Sequence, residues 1–192
     1  VSAQPALASR NLTYVEVVGT ATMKGKPSAL RKTLYLTTDS ASQQLMIKTI
    51  GSGYDSQEIS WRGLLRLVSQ THFNAESESQ TLTSLSFKGD WLHMPVGSTL
   101  SYVRQGSTTN SQLGLYDTAL KITECTVERE LPANTLNANL SGNAKALDCH
   151  LKGDQYPRVD HLFYLVDYGY FFSASTDKND FYYSDLRLQT VK

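Results

Sequence analysis

Apolar and polar residues alternate over long stretches of the chain. From Thr13 onward, the run TYVEVVGTATM brings mostly apolar residues to one side, namely Val15, Val17, Ala21 and Met23. Successive side chains of a strand point to opposite faces, so this run predicts a half-buried strand. The runs TLYLTT and QLMIKTI follow, and the turn-forming segment DSASQ separates them. Together the three runs predict an antiparallel meander.

Residues 56–73, SQEISWRGLLRLVSQTHF, fit two patterns about equally well. A helix would align four apolar residues on one face, namely Trp61, Leu64, Leu65 and Val68. A strand would align four as well, namely Ile59, Trp61, Leu65 and Leu67. Gly63 lies in the middle of the segment, and an internal glycine costs a helix about 1 kcal/mol. We therefore favour a strand here, with Gly63 as a bulge.

The second half of the chain is interrupted twice. Proline and glycine at residues 95–97 mark the boundary if the domain is divided into two lobes. A long β run, rich in Thr, Ile, Val and Tyr, then ends at Pro132. Beyond it, Leu136 and Leu140 are four positions apart, which predicts one short helical turn near residues 132–141.

Aromatic residues crowd the C-terminal segment. The run VDHLFYLVDYGYFFSAS is apolar on both parities, and FYYSDLRLQTV completes a hairpin. A strand of this kind is either covered on both faces or presents one face to a partner. The first interpretation places its aromatic rings in the core; the second uses the polar hydroxyls of tyrosine in a contact surface. That surface would comprise Tyr164, Tyr168, Tyr170, Phe172, Tyr182 and Tyr183.

The whole pattern predicts an all-β fold, an antiparallel meander that forms a sandwich or an open half-barrel. Residues 1–10 lack sustained periodicity and are expected to form a flexible N-terminal tail. Residues 11–192 are expected to form a single β domain, with two lobes split near residues 95–97 as the alternative.

Composition and charge narrow the classes of partner. Hydrophobic residues make up 40% of the chain, which excludes disorder for most of it. The net charge is +0, with 18 basic and 18 acidic residues, so no basic field attracts a phosphate backbone. We expect no nucleic-acid partner. No stretch approaches the roughly 20 apolar residues that span a bilayer, so we also expect no transmembrane segment.

Cys125 and Cys149 are the two cysteines of the chain, and each lies in a β run among hydrophobic neighbours of its own parity. A disulfide fits this placement and would close a loop of about 25 residues. A zinc site would need further ligands at close spacing, and a redox pair would need the two cysteines much closer in sequence. Free buried thiols remain the alternative. A disulfide would imply an oxidising compartment.

No group of residues specifies a reaction. His72, His93, His150 and His161 are scattered, with no pair at metal-ligand spacing. Carboxylates for acid-base work on a glycan are available, but the sequence cannot pair them. They are Glu58, Asp90, Asp117, Glu124, Asp160 and Asp167. We predict no catalytic residue, no metal site and no cofactor.

The C-terminal half resembles uncharacterised periplasmic or lipoprotein β domains of Gram-negative bacteria. The resemblance rests on the order of LHMPVGSTLSY, the Cys125 strand, LPANTLNANLSGNAKALDC and HLFYLVDYGYFF. It implies an envelope location and an accessory role, and it brings no catalytic residues with it. The expected location is therefore periplasmic or extracellular, with a lipid anchor on a removed N-terminal segment as one option.

We expect a non-catalytic binding or accessory module of the bacterial envelope, with a protein, glycan or lipid partner. One alternative is a periplasmic immunity protein or inhibitor that neutralises a toxin or hydrolase. Another is a small glycan-acting hydrolase. A β cavity for a lipid or acyl chain is a further option, which requires that the aromatic parities line an empty interior.

Overall fold

The structure, a computed structural model, describes residues 8–39, 44–155, 157–177 and 182–192. These residues form thirteen strands and two short 3-10 turns. The strands are β1 (Tyr14–Met23), β2 (Lys26–Thr38), β3 (Leu45–Gly51), β4 (Tyr54–Trp61), β5 (Leu65–Phe73), β6 (Glu76–Lys88), β7 (Thr99–Asn110), β8 (Gly114–Tyr116), β9 (Lys121–Pro132), β10 (Asn143–Leu151), β11 (Asp160–Leu165), β12 (Tyr170–Thr176) and β13 (Tyr182–Val191). The 3-10 turns are Ala133–Thr135 and Val166–Tyr168. No helix in the described ranges has the length and hydropathy needed to span a bilayer.

Twelve of the strands close into an antiparallel barrel. Consecutive strands are paired except β8 and β9, since β9 pairs with β7, and β1 pairs with β13. The β6–β7 ladder runs from Glu78 opposite Asn110 to Lys88 opposite Ser101. Strand β8 adds a short hairpin outside the ring, on β7. The all-β antiparallel prediction is confirmed, but a sandwich or open half-barrel is not, because the ladder between the first and last strands, β1 and β13, closes the meander into a ring.

Three local predictions can be compared with the structure. Residues 56–73 form two strands, so a strand is confirmed over a helix, but the bulge lies between Ile59 and Ser60. A 3-10 turn lies within residues 132–141, where one helical turn is predicted. The sheet continues past residues 95–97, because the strands on either side of them are paired along their length. Most of the predicted tail, residues 1–7, lies outside the described residues.

The β4–β5 hairpin turns at Arg62 and Gly63, where Leu64 N donates a hydrogen bond of 3.0 Å to Trp61 O. The φ angles of Arg62 and Gly63 are 53° and 77°, the left-handed values that a type I′ turn requires at both positions. The turn reaches across the barrel, where Phe171 N donates a hydrogen bond of 2.8 Å to Arg62 O. A Cβ on Gly63 would lie 2.5 Å from the Tyr170 ring and 3.0 Å from Phe171 O. Glycine is therefore required by backbone conformation and by close approach.

Strands β12 and β13 separate soon after they meet. They are paired at Ser175 opposite Asp185 and at Thr176 opposite Ser184. The Arg62 turn gives β12 one hydrogen-bond partner in the gap, and Asn137 gives β13 another. The Asn137 Nδ2 donates hydrogen bonds to Leu188 O at 3.1 Å and to Gln189 O at 3.3 Å. These contacts satisfy backbone groups that a complete ladder would otherwise pair.

Two hydrophobic cores result, one on either side of the aromatic strand β12. The first core comprises Leu12, Val15, Val17, Leu34, Leu36, Leu45, Ile47, Ala133, Leu140, Ala144, Leu165, Tyr170, Phe172, Leu188 and Val191. The second core comprises Trp61, Leu65, Trp91, Met94, Leu100, Tyr102, Cys125, Val127, Leu147, Cys149, Leu162, Tyr164 and Phe171. Phe171 and Phe172 belong to different cores, so the strand is covered on both faces.

Cys125 and Cys149 lie directly opposite each other on β9 and β10 and are joined by a disulfide. Both are buried in the second core. The predicted disulfide is thus confirmed. Such bonds persist in oxidising compartments, so the bond indicates a location outside the cytoplasm.

Gly63→Ala is expected to cost more free energy of unfolding than Gly53→Ala. Both glycines lie in tight hairpin turns, with φ of 80° at Gly53 and 77° at Gly63, where alanine is strained by about 1–2 kcal/mol. A Cβ on Gly53 would meet nothing within 4 Å, whereas one on Gly63 meets β12. Urea unfolding should therefore show an extra loss of at least about 1 kcal/mol for Gly63→Ala. Equal losses of unfolding free energy in the two variants would mean that the β4–β5 turn is not packed closely against β12.

Replacing both cysteines by alanine should lower the free energy of unfolding by about 3 kcal/mol, since the cross-link closes a loop over a sequence separation of 24. Urea unfolding of the double variant, compared with wild type before and after reduction, measures the loss. Reduced wild type should behave like the variant. Mass spectrometry of the unreduced protein should find no free thiol, and two free thiols would contradict the assignment.

Candidate functional site

The interior of the barrel is only partly filled. A cavity of about 680 Å³, hereafter the lumen, is lined by residues of β1, β2, β5, β7 and β9 to β13. This volume lies within the range of small-molecule sites, roughly 300–1,000 Å³. Tyr102, Leu162 and Phe171 belong both to the lumen wall and to the second core. The lumen therefore begins where the aromatic packing of the second core ends.

The wall of the lumen combines apolar side chains with cations. Its apolar residues include Leu30, Leu64, Leu151, Leu162, Phe171 and Leu186. Its cations are Lys32, Arg66, Arg104 and Arg158, which come from four separate parts of the sequence. Asp160 is the carboxylate among the lining residues. An apolar wall with a few convergent polar groups is the usual make-up of a ligand site.

Lys32 and Arg66 share one carboxylate. Arg66 Nε lies 2.8 Å from Glu58 Oε2, and the Glu58 side chain is 10% exposed. Burial raises the pKa of Glu58, while Arg66 and then Lys32 act in the opposite direction. Burial also lowers the pKa of Lys32, and the neighbouring Arg66 lowers it further. Two cations thus stand beside a single carboxylate in this part of the wall.

A second ion pair lies at β11. Arg158 Nε is 3.3 Å from Asp160 Oδ1, and Thr176 Oγ1 donates a hydrogen bond of 3.3 Å to the same oxygen. Burial raises the pKa of Asp160, and Arg158 opposes that rise. The Arg158 guanidinium also lies 5.4 Å from the centre of the Tyr182 ring. Both Asp160 and Glu58 are therefore engaged by arginines.

Arg104 differs from the other lumen cations. Its Nε is buried, and in the described part of the chain it has no hydrogen-bond partner. The neighbouring Tyr102 is buried in the second core, and burial raises the pKa of its hydroxyl. A buried donor without an acceptor is unusual and costs free energy, which makes Arg104 the most distinctive polar group of the wall.

The six aromatic residues proposed as a contact surface do not share one exposed face. Tyr164, Tyr170 and Phe172 are buried, because the cores cover β12 and its neighbour from both sides. Tyr168 is half-buried, and its hydroxyl accepts a hydrogen bond of 3.2 Å from Ser141 N. Tyr182 and Tyr183 are half-buried as well, and Tyr182 lines the lumen.

The other candidate carboxylates lie apart from the lumen lining. Each lies within 4.0 Å of a basic side chain: Asp90 of His93, Asp117 of Lys121, Glu124 of His150 and Lys152, and Asp167 of Arg10. In the described ranges, no three His, Cys, Asp or Glu side chains are grouped as a metal site requires.

Every histidine contacts a carboxylate, and His161 contacts two. Its Nδ1 lies 2.7 Å from Asp148 Oδ1 and its Nε2 lies 2.9 Å from Asp177 Oδ1. The hydrogen bond with Asp177, followed by that with Asp148, raises the pKa of His161 above its ordinary value, although burial opposes the rise. The group lies outside the lumen lining.

The sequence patterns did not predict the lumen cations, although the positions of two of them in their strands indicate an inward orientation. Lys32 shares the parity of Leu34 and Leu36, and Arg104 shares the parity of Tyr102, so both stand on the buried side of their strands. A cation on an apolar parity is costly to bury and therefore marks an unusual interior. Only the closed sheet brings the two positions to one cavity.

No family model matches the chain, and no characterised protein or solved structure is significantly similar to it. The resemblance of the C-terminal half to periplasmic or lipoprotein β domains therefore stays a prediction. The lumen has to be interpreted from its own geometry and chemistry.

Replacing Asp148 by Asn should lower the pKa of His161, which an NMR titration of the ring protons measures. Protonated His161 bridges two carboxylates, so its stabilising effect is full below the unfolded pKa and is lost as pH rises through the raised folded pKa. The effect on unfolding should stay below about 1 kcal/mol, since the group is partly exposed. The control Asp55→Asn contacts His72 instead and should leave His161 unchanged. An unchanged His161 pKa in the Asp148→Asn variant would contradict the contact between His161 and Asp148.

Proposed function

We propose that this protein is a non-catalytic binding module of the bacterial envelope that holds a small amphiphilic molecule in its lumen. One observation carries the proposal: a cavity of about 680 Å³ whose wall combines aliphatic side chains with four cations. Apolar lining stabilises a hydrocarbon portion by removing it from water, and the charged groups orient a polar portion.

The arrangement of the carboxylates favours binding over catalysis. Glu58 lies against Arg66, and Asp160 lies against Arg158. General acid-base chemistry needs a carboxyl group within reach of a substrate proton. Here the two carboxyl groups instead neutralise part of the cationic wall, which suits a site that retains its ligand unchanged.

The envelope location rests on two supports. The disulfide favours the periplasm or the cell exterior, and the resemblance of the C-terminal half to envelope domains points the same way. A lipid anchor on a removed N-terminal segment would hold the barrel near a membrane. An amphiphile is a plausible cargo there, because membranes supply molecules that combine a hydrocarbon chain with a polar head.

Filling the lumen should abolish ligand binding without unfolding the barrel. Ser173 lines the lumen. Ser175 lies two residues further along β12, but a register shift between β11 and β12 separates the two serines, and Ser175 faces the outer surface beside His161. Ser173→Trp places a large ring where the ligand would lie, and Ser175→Trp is the matched control. The probe is dansylamino-undecanoic acid, whose fluorescence rises when it leaves water.

We expect wild type and Ser175→Trp to bind the probe alike and Ser173→Trp to bind at least about tenfold more weakly. Circular dichroism and thermal unfolding would verify that both variants fold. The proposal fails if wild type does not bind the probe, or if the two tryptophan variants bind it equally well.

A further inference from the structure

We propose that the lumen selects an anionic amphiphile, a carboxylate or a phosphate monoester, and that Arg104 binds its head group. The inference rests on the proposed function, since it assumes that a ligand occupies the lumen. It adds the sign of the ligand's charge and the residue that recognises it.

The charge of the wall is the first argument. Lys32, Arg66, Arg104 and Arg158 line the lumen, whereas Asp160 is the single acidic residue among its described lining residues; Glu58 lies against Arg66 and Asp160 against Arg158. The chain as a whole has a net charge of +0, so the excess of cations is local to the interior. Cations that outnumber the carboxylates around a partly enclosed cavity repel one another, and an anion entering the lumen would offset that repulsion.

Arg104 supplies the second argument. Arg66 and Arg158 each lie against a carboxylate of the wall, but the buried Nε of Arg104 has no hydrogen-bond partner in the described ranges. A guanidinium donates two parallel hydrogen bonds to a carboxylate or phosphate. Arg104 lines the lumen, so an anionic head group there would lie beside a guanidinium whose Nε the wall leaves unsatisfied.

The position of Arg104 on its strand is the third argument. It follows Tyr102 on the inward parity of β7, and Tyr102 borders both the lumen and the second core. A head group at Arg104 thus has Leu162 and Phe171 among the apolar residues of the same cavity. A hydrocarbon chain can lie against them without leaving the lumen.

Isothermal titration calorimetry with four ligands of one chain length tests the inference. The ligands are decanoic acid, decyl phosphate, decanol and decyltrimethylammonium, each kept below its micellar concentration. We expect both anions to bind at least about tenfold more tightly than decanol, and the cation to bind most weakly. The order of decanoic acid and decyl phosphate identifies which head group the site prefers.

Arg104→Met removes the charge but keeps an apolar stem of similar length. It should weaken the binding of both anions about tenfold and leave that of decanol unchanged. Arg104→Lys should restore part of the preference for anions, because it retains the charge. Arg31→Met is the matched control: Arg31 lies on the outer face of β2, paired with Glu16 at 2.7 Å, and its loss should change neither affinity.

The outcomes separate this inference from the proposed function. Equal binding of anions and decanol, or an Arg104→Met variant that behaves like Arg31→Met, overturns the role of Arg104 while the lumen remains a binding site. Failure of all four ligands to bind wild type overturns both. Thermal unfolding guards against misfolding, and Arg104→Met should be at least as stable as wild type because it removes an unsatisfied buried donor.

Discussion

Closure of the sheet by the β1–β13 ladder is the constraint on which the interior of this protein depends. The ladder joins the first and last strands of a meander that would otherwise expose a pair of unpaired edges. Once the ring is closed, the alternation of side chains becomes a division between lumen and outer surface. Lys32 and Arg104 then face a common cavity, although β2 and β7 are not neighbours in the sheet.

A ring of twelve strands is too wide for its own side chains to fill, and the chain fills it unevenly. The β4–β5 turn crosses the barrel to β12 and brings Trp61 into an aromatic cluster with Trp91 and Phe171, at centroid distances of 5.7 and 5.9 Å. Packing on this side is dense and includes the disulfide. The other part of the interior keeps the lumen, so one sheet provides both a rigid core and a site.

The all-β class, the disulfide and the double coverage of the aromatic strand could be predicted, because each follows from local alternation. Barrel closure could not, since nothing in the alternation of β1 or β13 identifies the other strand as its partner. The type I′ turn at Arg62 and Gly63 was also missed, because the expected bulge used the same glycine. The aromatic contact surface fails for Tyr164, Tyr170 and Phe172, since their strands are packed on both sides.

The lumen escaped prediction for a further reason. A sequence records that the chain has equal numbers of basic and acidic residues, but it does not record which of them face inward. Glu58 and Arg66 would look like ordinary surface charges, yet the closed sheet buries the Glu58 side chain and places Arg66 and Lys32 beside it at the lumen. A neutral chain can therefore contain a cationic interior, provided that its acidic residues lie mainly outside. Such an arrangement has a free-energy cost in the empty barrel, and that cost is what an anionic ligand would relieve.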